Sequence, residues 1–214
     1  MGEIVRPKNR VYQAIGDLLE YPGEDWDARL EQCKRRVSDE APALAERLLA
    51  FALGLDGIPI ATLQERYTQA FDLNPVCALE VGYHLFGEDY KRGLFLANLR
   101  ETEAGLDLGQ EHQLPDYLPV LLRLLGRLTD EELRSDLIAE CLVPAVEKMI
   151  AALKQAKNPY GHLLEALVEA LKAEVPGRQP ALAAAFTGED AMPELYRISS
   201  RAARSREEDQ PAVV

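Results

Sequence analysis

The chain is poor in the residues on which most enzymatic chemistry depends. It has 3 histidines and 3 cysteines in 214 residues. The cysteines, Cys33, Cys77 and Cys141, are odd in number, far apart and form no CxxC pair. That argues against a disulfide framework and a zinc site, so they read as buried thiols in a reducing compartment. Neither GxGxxG nor GxxxxGK followed by Ser or Thr occurs, so no familiar glycine-rich loop brings backbone N–H groups to a phosphate. The GxSxG elbow and HExxH are also missing. Val81, Gly109 and Pro159 stand three residues before His84, His112 and His162. The Glu-x-x-His pattern of di-iron bundles is therefore absent. No stretch reaches the ~18 apolar residues of a membrane span. The start, Met1 to Lys8, lacks the apolar core and cleavage site of a secretory signal, which places the expected location in the cytoplasm. No run alternates with period two for long enough to make a strand. Basic excess is missing as well: the formal net charge is -12. Nucleic acid, whose phosphates need a basic footprint, is disfavoured, and basic partners are favoured. No cofactor, no metal site and no catalytic residue is expected.

What the chain does have is helical periodicity almost throughout. Apolar residues make up 47%, enough for a full core at this length. Val11, Ile15, Leu18 and Leu19 follow i, i+4, i+7, i+8 until Tyr21-Pro22-Gly23 stops the helix. Trp26, Leu30, Cys33 and Val37 mark a second helix, and Leu44, Leu48, Leu49 and Ala52 a third. Ile60, Leu63, Tyr67 and Phe71 keep one stripe up to Asn74-Pro75. A short segment ends near Gly87, and a longer helix runs from about Glu88 to Ala104. Leu118, Leu121, Leu122 and Leu125 make a dense apolar face. Thr129-Asp130-Glu131-Glu132 reads as a capping box with Thr129 as the cap. Pro144 is expected to kink or break the helix that follows. Asn158-Pro159 reads as an N-cap and an N1 proline. The expectation is an all-α fold of nine or ten helices. It divides into a helical domain over 1–186 and a polar, flexible tail over 187–214.

One segment stands out against this background: Gln113-Leu114-Pro115-Asp116-Tyr117-Leu118-Pro119, an acidic knot braced by two prolines. Residues before proline are pushed out of the α region, and Pro119 can open a helix without losing a hydrogen bond. A second cluster runs from Tyr67 to Gly93. Within it Glu80 and His84 stand at i, i+4, where they could share a face and a proton. Arg92 stands at the same spacing from Glu88.

Taken in order, Tyr67-x-x-x-Phe71-Asp72, then His84-x-x-Gly87-Glu88-x-x-x-Arg92-Gly93, then Leu114-Pro115-Asp116-x-Leu118-Pro119 resemble the nitrate reductase delta subunit (NarJ-type) family. Its members are assembly chaperones of molybdenum enzymes, related to those of the trimethylamine-oxide and dimethyl-sulfoxide reductases. The resemblance covers about residues 11–172. The family's knot usually carries Glu and His where this chain has Gln113 and Tyr117. The stretch Phe71 to Glu80 looks closer to the branch serving type II dimethyl-sulfoxide-reductase-like enzymes.

The resemblance implies a TorD/NarJ-like helical fold and a non-enzymatic, cytoplasmic chaperone. Its expected partner is the N-terminal segment of an apo catalytic subunit, held until cofactor insertion and assembly or export. Molybdenum cofactor biosynthesis proteins are further expected partners, and the chain is expected to be a monomer or weak dimer that does not insert in membranes. Such leaders are basic and amphipathic, so an apolar groove rimmed by carboxylates would suit one laid down as a helix. The apolar wall is assigned to Tyr67, Phe71, Tyr83, Leu118 and Leu122. The acidic rim is assigned to Glu80, Glu88, Glu111 and Asp116, with Tyr117 positioning the peptide backbone and His84 and Arg92 completing the site. Two other classes stay open at this point: a permanent structural subunit of a redox complex, and an all-α acid/base hydrolase using Glu80 and His84.

Overall fold

The computed structural model of the chain describes residues 7–73 and 77–178. The expected tail over 187–214 lies outside the described residues. Within them the fold is all-α. Helices α1 (Pro7–Leu18), α2 (Trp26–Glu40), α3 (Ala45–Leu55) and α4 (Ile60–Tyr67) form the first half. Next come α5 (Val81–Phe86) and α6 (Tyr90–Glu103), and beyond the knot α7 (Leu118–Arg127). The last part is α8 (Glu131–Asp136), α9 (Val143–Gln155) and α10 (Tyr160–Lys172). The single β-type pairing among the described residues is an isolated antiparallel bridge between Glu80 and Tyr117.

The core follows from the apolar stripes. On α7, Leu118, Val120, Leu121, Leu122, Leu124 and Leu125 are all completely buried. They are wrapped chiefly by α1, whose Val11, Tyr12, Ile15 and Leu18 face inward. Helix α10 packs on α9 and α3 through Leu163, Leu164, Leu167 and Leu171. A buried cation closes the far end of the bundle. Arg134 of α8 donates from Nη2 to Glu174 Oε2 at 2.9 Å and from Nη1 to the Leu125 carbonyl. Tyr12 of α1 donates its hydroxyl to the other oxygen of Glu174. Glu174, just past α10, thus ties α8 through an ion pair and the middle of α1 through a hydrogen bond. All three cysteines are buried free thiols, and burial pushes Cys33 and Cys77 each up to about 12.

Three local expectations need correction. The cap of α8 is Asp130, not Thr129: its Oδ1 accepts from the N–H groups of Glu132 and Leu133 at 2.9 and 3.0 Å. One residue on from Thr129, the Asp130 carboxylate faces the orphan N–H groups of the first turn directly. Pro144 does not break the chain's helical course. A wider π-type turn over Leu137–Leu142 joins α8 to α9, and the proline sits in the first turn of α9. There its missing N–H leaves no gap in the ladder. Glu80 and His84 share no helix face, because Glu80 is the extended residue preceding α5. Asn158 does cap α10, its side chain accepting from the Tyr160 N–H at 3.0 Å.

Candidate functional site

The knot is held in place by the segment that starts α5. The Leu118 N–H donates to the Leu79 carbonyl at 2.9 Å, and the Val81 N–H donates to the Asp116 carbonyl at 2.8 Å. This short bridge points the Asp116 side chain inward. Its Oδ2 accepts from the Gly82 N–H at 3.1 Å and from Arg92 Nε at 3.3 Å. Asp116 is completely buried, and the Arg92 side chain is one-fifth exposed. Glycine at 82 is required by this contact: a Cβ there would lie 2.7 Å from the carboxylate oxygen and 3.0 Å from the Phe95 ring. Burial raises the Asp116 carboxyl above its ordinary range, against the opposing pull of Arg92. Gly87 ends α5 at φ 61, a conformation open to glycine, and Asp89 then caps α6 by accepting from the Lys91 N–H. The sequence pair Glu88–Arg92 is replaced by Asp116–Arg92.

The second hydrogen-bond centre joins Tyr117 to Tyr67. Their hydroxyls are 3.2 Å apart, and both donate toward the Leu19 carbonyl at the end of α1, at 3.3 and 2.8 Å. The Tyr117 hydroxyl also lies 3.4 Å from Glu20 Oε2. Arg123 grips the other oxygen of Glu20 at 2.9 Å. Burial raises both phenols above their usual range, so neither ionises near neutrality. Rings extend the cluster inward: Phe71 lies 5.0 Å from Tyr67 and 5.1 Å from Tyr160, in edge-to-face pairs.

Against this second centre opens a recess of about 160 Å³. Tyr21, Tyr67, Phe71 and Tyr117 supply its aromatic surface. Glu20, Asp72 and Glu80 bring three carboxylates to the same space. Burial raises Glu80, and the nearby Asp116 and Asp72 charges raise it further. Aromatic faces beside carboxylates, with no cation among the lining residues, suit a positively charged side chain.

The structure therefore brings together four of the residues expected at the site: Tyr67, Phe71, Glu80 and Tyr117. It places the others elsewhere. Leu118 and Leu122 are fully buried under α1 and form no wall. Asp116 is not on a rim, because its carboxylate is consumed inside the fold. The Tyr117 hydroxyl is likewise committed to internal partners. Tyr83 is half-buried, with the Arg92 guanidinium 5.8 Å over its ring and His84 edge-on at 5.8 Å. His84 donates Nε2–H to the Ala78 carbonyl at 2.7 Å, and burial lowers its pKa. Among the described residues no carboxylate is bonded to it, and Glu80 lies outside the helix that carries it, so the Glu80–His84 hydrolase geometry does not form. Glu88 and Glu111 are exposed and apart from the recess. Glu20 and Tyr21 were not assigned to the site from the sequence, Tyr21 being read as part of a helix stop; Asp72 stood in the family motif beside Phe71 without an assigned role. No group of three metal-ligating side chains occurs among the described residues. No helix among them is long and apolar enough to cross a membrane.

No protein-family model matches the chain. Curated relatives do. It is 31% identical over 163 residues to the probable nitrate reductase molybdenum cofactor assembly chaperone NarJ of Bacillus subtilis (strain 168), an overlap of 75% of this chain and 88% of that protein. It is 28% identical over 163 residues to the probable chaperone NarW of Escherichia coli (strain K12), covering 75% of this chain and 67% of the relative. With NarJ of the same strain it shares 30% over 165 residues, 72% of this chain and 66% of the other. These names describe chaperones and not enzymes. On this evidence the chain belongs to the NarJ-type family of nitrate reductase molybdenum cofactor assembly chaperones.

Proposed function

We propose that this chain is a cytoplasmic, system-specific chaperone that binds the N-terminal segment of the apo catalytic subunit of a molybdenum oxidoreductase. It holds that segment until cofactor insertion and assembly or export. The observation that carries this reading is the recess in which the rings of Tyr21, Tyr67, Phe71 and Tyr117 meet the carboxylates of Glu20, Asp72 and Glu80. Leaders of such subunits are basic, and a cationic side chain entering the recess gains both ring contact and charge pairing. The chain's net charge of -12 adds long-range attraction.

Calorimetry of the full chain with the client's N-terminal peptide tests the reading. Affinity near micromolar is expected, about 8 kcal/mol, falling as salt rises. Absence of binding at high protein concentration would sink it. Peptides from a nitrate reductase and from a type II enzyme serve as the two arms, since residues 71–80 contribute Phe71, Asp72, Leu79 and Glu80 to the recess. Co-purification at fixed stoichiometry with the mature, cofactor-loaded enzyme would instead favour a permanent subunit.

A further inference from the structure

Helix α2 separates two surfaces of opposite character. On one side a groove toward α3 exposes Leu49 and Leu53 beside Glu24, Asp27 and Asp56. On the other, a cavity of about 330 Å³ opens between α1, α2 and α7. Four guanidinium side chains line it: Arg10 from α1, Arg36 from α2, and Arg123 and Arg127 from α7. Gln13 and Gln32 add amide donors, and Asp107 is the one carboxylate among the lining residues. In a chain of formal net charge -12, four arginines around one space make a site of positive potential. The volume falls at the lower end of the range for small-molecule sites, about 300–1,000 Å³.

The internal partners of two of these arginines leave their charge available. Among the described residues, Arg10 and Arg36 share the carboxylate of Glu40, each at 3.7 Å and so beyond hydrogen-bond distance. Both side chains are partly exposed, and pairs of this kind hold weakly. A phosphate or carboxylate group that accepts two parallel N–H bonds from a guanidinium is a stronger partner.

Arg123 links the cavity to the tyrosine recess. Its Nη1 donates to the Leu108 carbonyl at 3.1 Å, and its Nη2 holds Asp17 Oδ1 at 3.3 Å and Glu20 Oε1 at 2.9 Å. Glu20 lines the recess, and its other oxygen lies 3.4 Å from the Tyr117 hydroxyl. One guanidinium therefore lines the cavity and neutralises a carboxylate of the recess.

We propose that the α1–α2–α7 cavity binds a compact multivalent anion, phosphate- or carboxylate-bearing, and that this anion tightens cation binding in the recess by drawing Arg123 off Glu20. The anion site rests on the arginine cavity alone; the coupling rests also on the function proposed above. With Arg123 engaged by the anion, Glu20 loses its neutralising partner and the recess becomes more negative. Linkage makes the effect reciprocal, since a cation bound at Glu20 frees Arg123 for the anion. The sign is diagnostic, because an anion acting only as salt would screen the recess and weaken the cation.

Pyrophosphate and citrate, each titrated into the full chain by calorimetry at fixed ionic strength, separate a phosphate source from a carboxylate source. Binding of at least one with a dissociation constant below about 1 mM is expected. Arg10→Gln and Arg36→Gln should each weaken the preferred anion about fivefold or more, through loss of a charge-assisted pair. Arg35→Gln removes the same charge from α2 outside the cavity and should weaken it less than about twofold. No binding of either anion, or equal losses at Arg35 and Arg36, overturns the site. Saturating anion should tighten the client's N-terminal peptide about fivefold or more. Glu20→Gln should keep anion binding and abolish that gain. Unchanged or weaker peptide binding with the anion bound overturns the coupling. If the anion binds and the peptide does not, the client reading falls with the coupling and the anion site stands. If the peptide binds and neither anion does, the anion site falls and the client reading stands.

Discussion

The knot around Asp116 and the groove between α2 and α3 place charge and apolar surface in opposite ways. At the knot a carboxylate is sealed inside, bonded to Gly82 and Arg92, with the leucines of α7 packed behind it. At the groove leucines stand in water and carboxylates line the edge. The first arrangement is expensive to alter, because each member's partners are buried and have no alternative. The second can change sequence with little cost to folding, because its side chains give up almost nothing to solvent when replaced. Of the residues that carry the family resemblance, Arg92, Asp116 and Leu118 therefore belong to the scaffold.

The sharpest way to break this contrast is to remove the buried charge. Asp116→Ala leaves Arg92 without its partner and the first turn of α5 without its acceptor. Loss of about 3–5 kcal/mol is expected for one member of a buried pair, read as a shift of the urea unfolding midpoint. A loss below about 1 kcal/mol would class the pair with solvated surface bridges. Next in size is Gly82→Ala. Its methyl group would sit 2.7 Å from Asp116 Oδ2, and overpacking of this kind costs about 1–3 kcal/mol. Gly93→Ala is the control, since nothing lies within 4 Å of a Cβ there. Equal effects at the two glycines would detach the cost from the Asp116 contact.

Tyr117→Phe probes the border between scaffold and surface. It deletes the hydroxyl that meets Tyr67, Leu19 and Glu20 but keeps the ring in the recess. Stability should fall by about 1 kcal/mol, with a smaller change in peptide affinity. A large loss of affinity at unchanged stability would mean that the hydroxyl serves the ligand and not the fold.

The helices were legible because their cause is local. The i, i+4 stripes of α1, α2, α7 and α10 name side chains that the fold does bury, from Val11 and Ile15 to Leu167 and Leu171. Legibility ended where partners are remote. An aspartate between two prolines has the signature of a surface turn, and its burial depends on Arg92 and Gly82, 24 and 34 positions earlier. Leu48 and Leu49 fit the α3 stripe equally well, yet the structure buries the first and leaves the second 56% exposed. Periodicity gives a helix an apolar side without saying whether every part of that side finds cover. The recess was half legible: Tyr67, Phe71, Glu80 and Tyr117 were named from two separated segments. Glu20 and Tyr21 come from the end of α1, whose approach to Tyr117 only the tertiary packing establishes.

The smallest expected effect concerns Glu103, a buried carboxylate on α6. Neither of its oxygens has a hydrogen-bond partner among the described residues, and the Arg100 guanidinium stands 3.9 Å away. Burial raises its pKa above the ordinary value of 4.5, with the Asp116 charge adding to the rise. The folded protein therefore keeps this proton to higher pH than the unfolded chain does. Between the two pKa values the native state binds more protons, so stability falls as pH rises through that window. Glu80 and Asp116 shift in the same direction and steepen the fall. Glu165, shifted down by Lys154 and His162, acts in the opposite sense. The difference between wild type and Glu103→Gln isolates one contribution from this mixture. As pH is lowered from 7 toward the ordinary carboxylate range, the urea midpoint of wild type should gain on that of Glu103→Gln, because only wild type takes up the extra proton at residue 103. At pH 7 the glutamine variant should be as stable as wild type or more so, since an amide loses less than a carboxylate on leaving water. Parallel curves for the two proteins would mean that the Glu103 carboxylate is hydrated, and the buried acidity of this fold would then be confined to the knot.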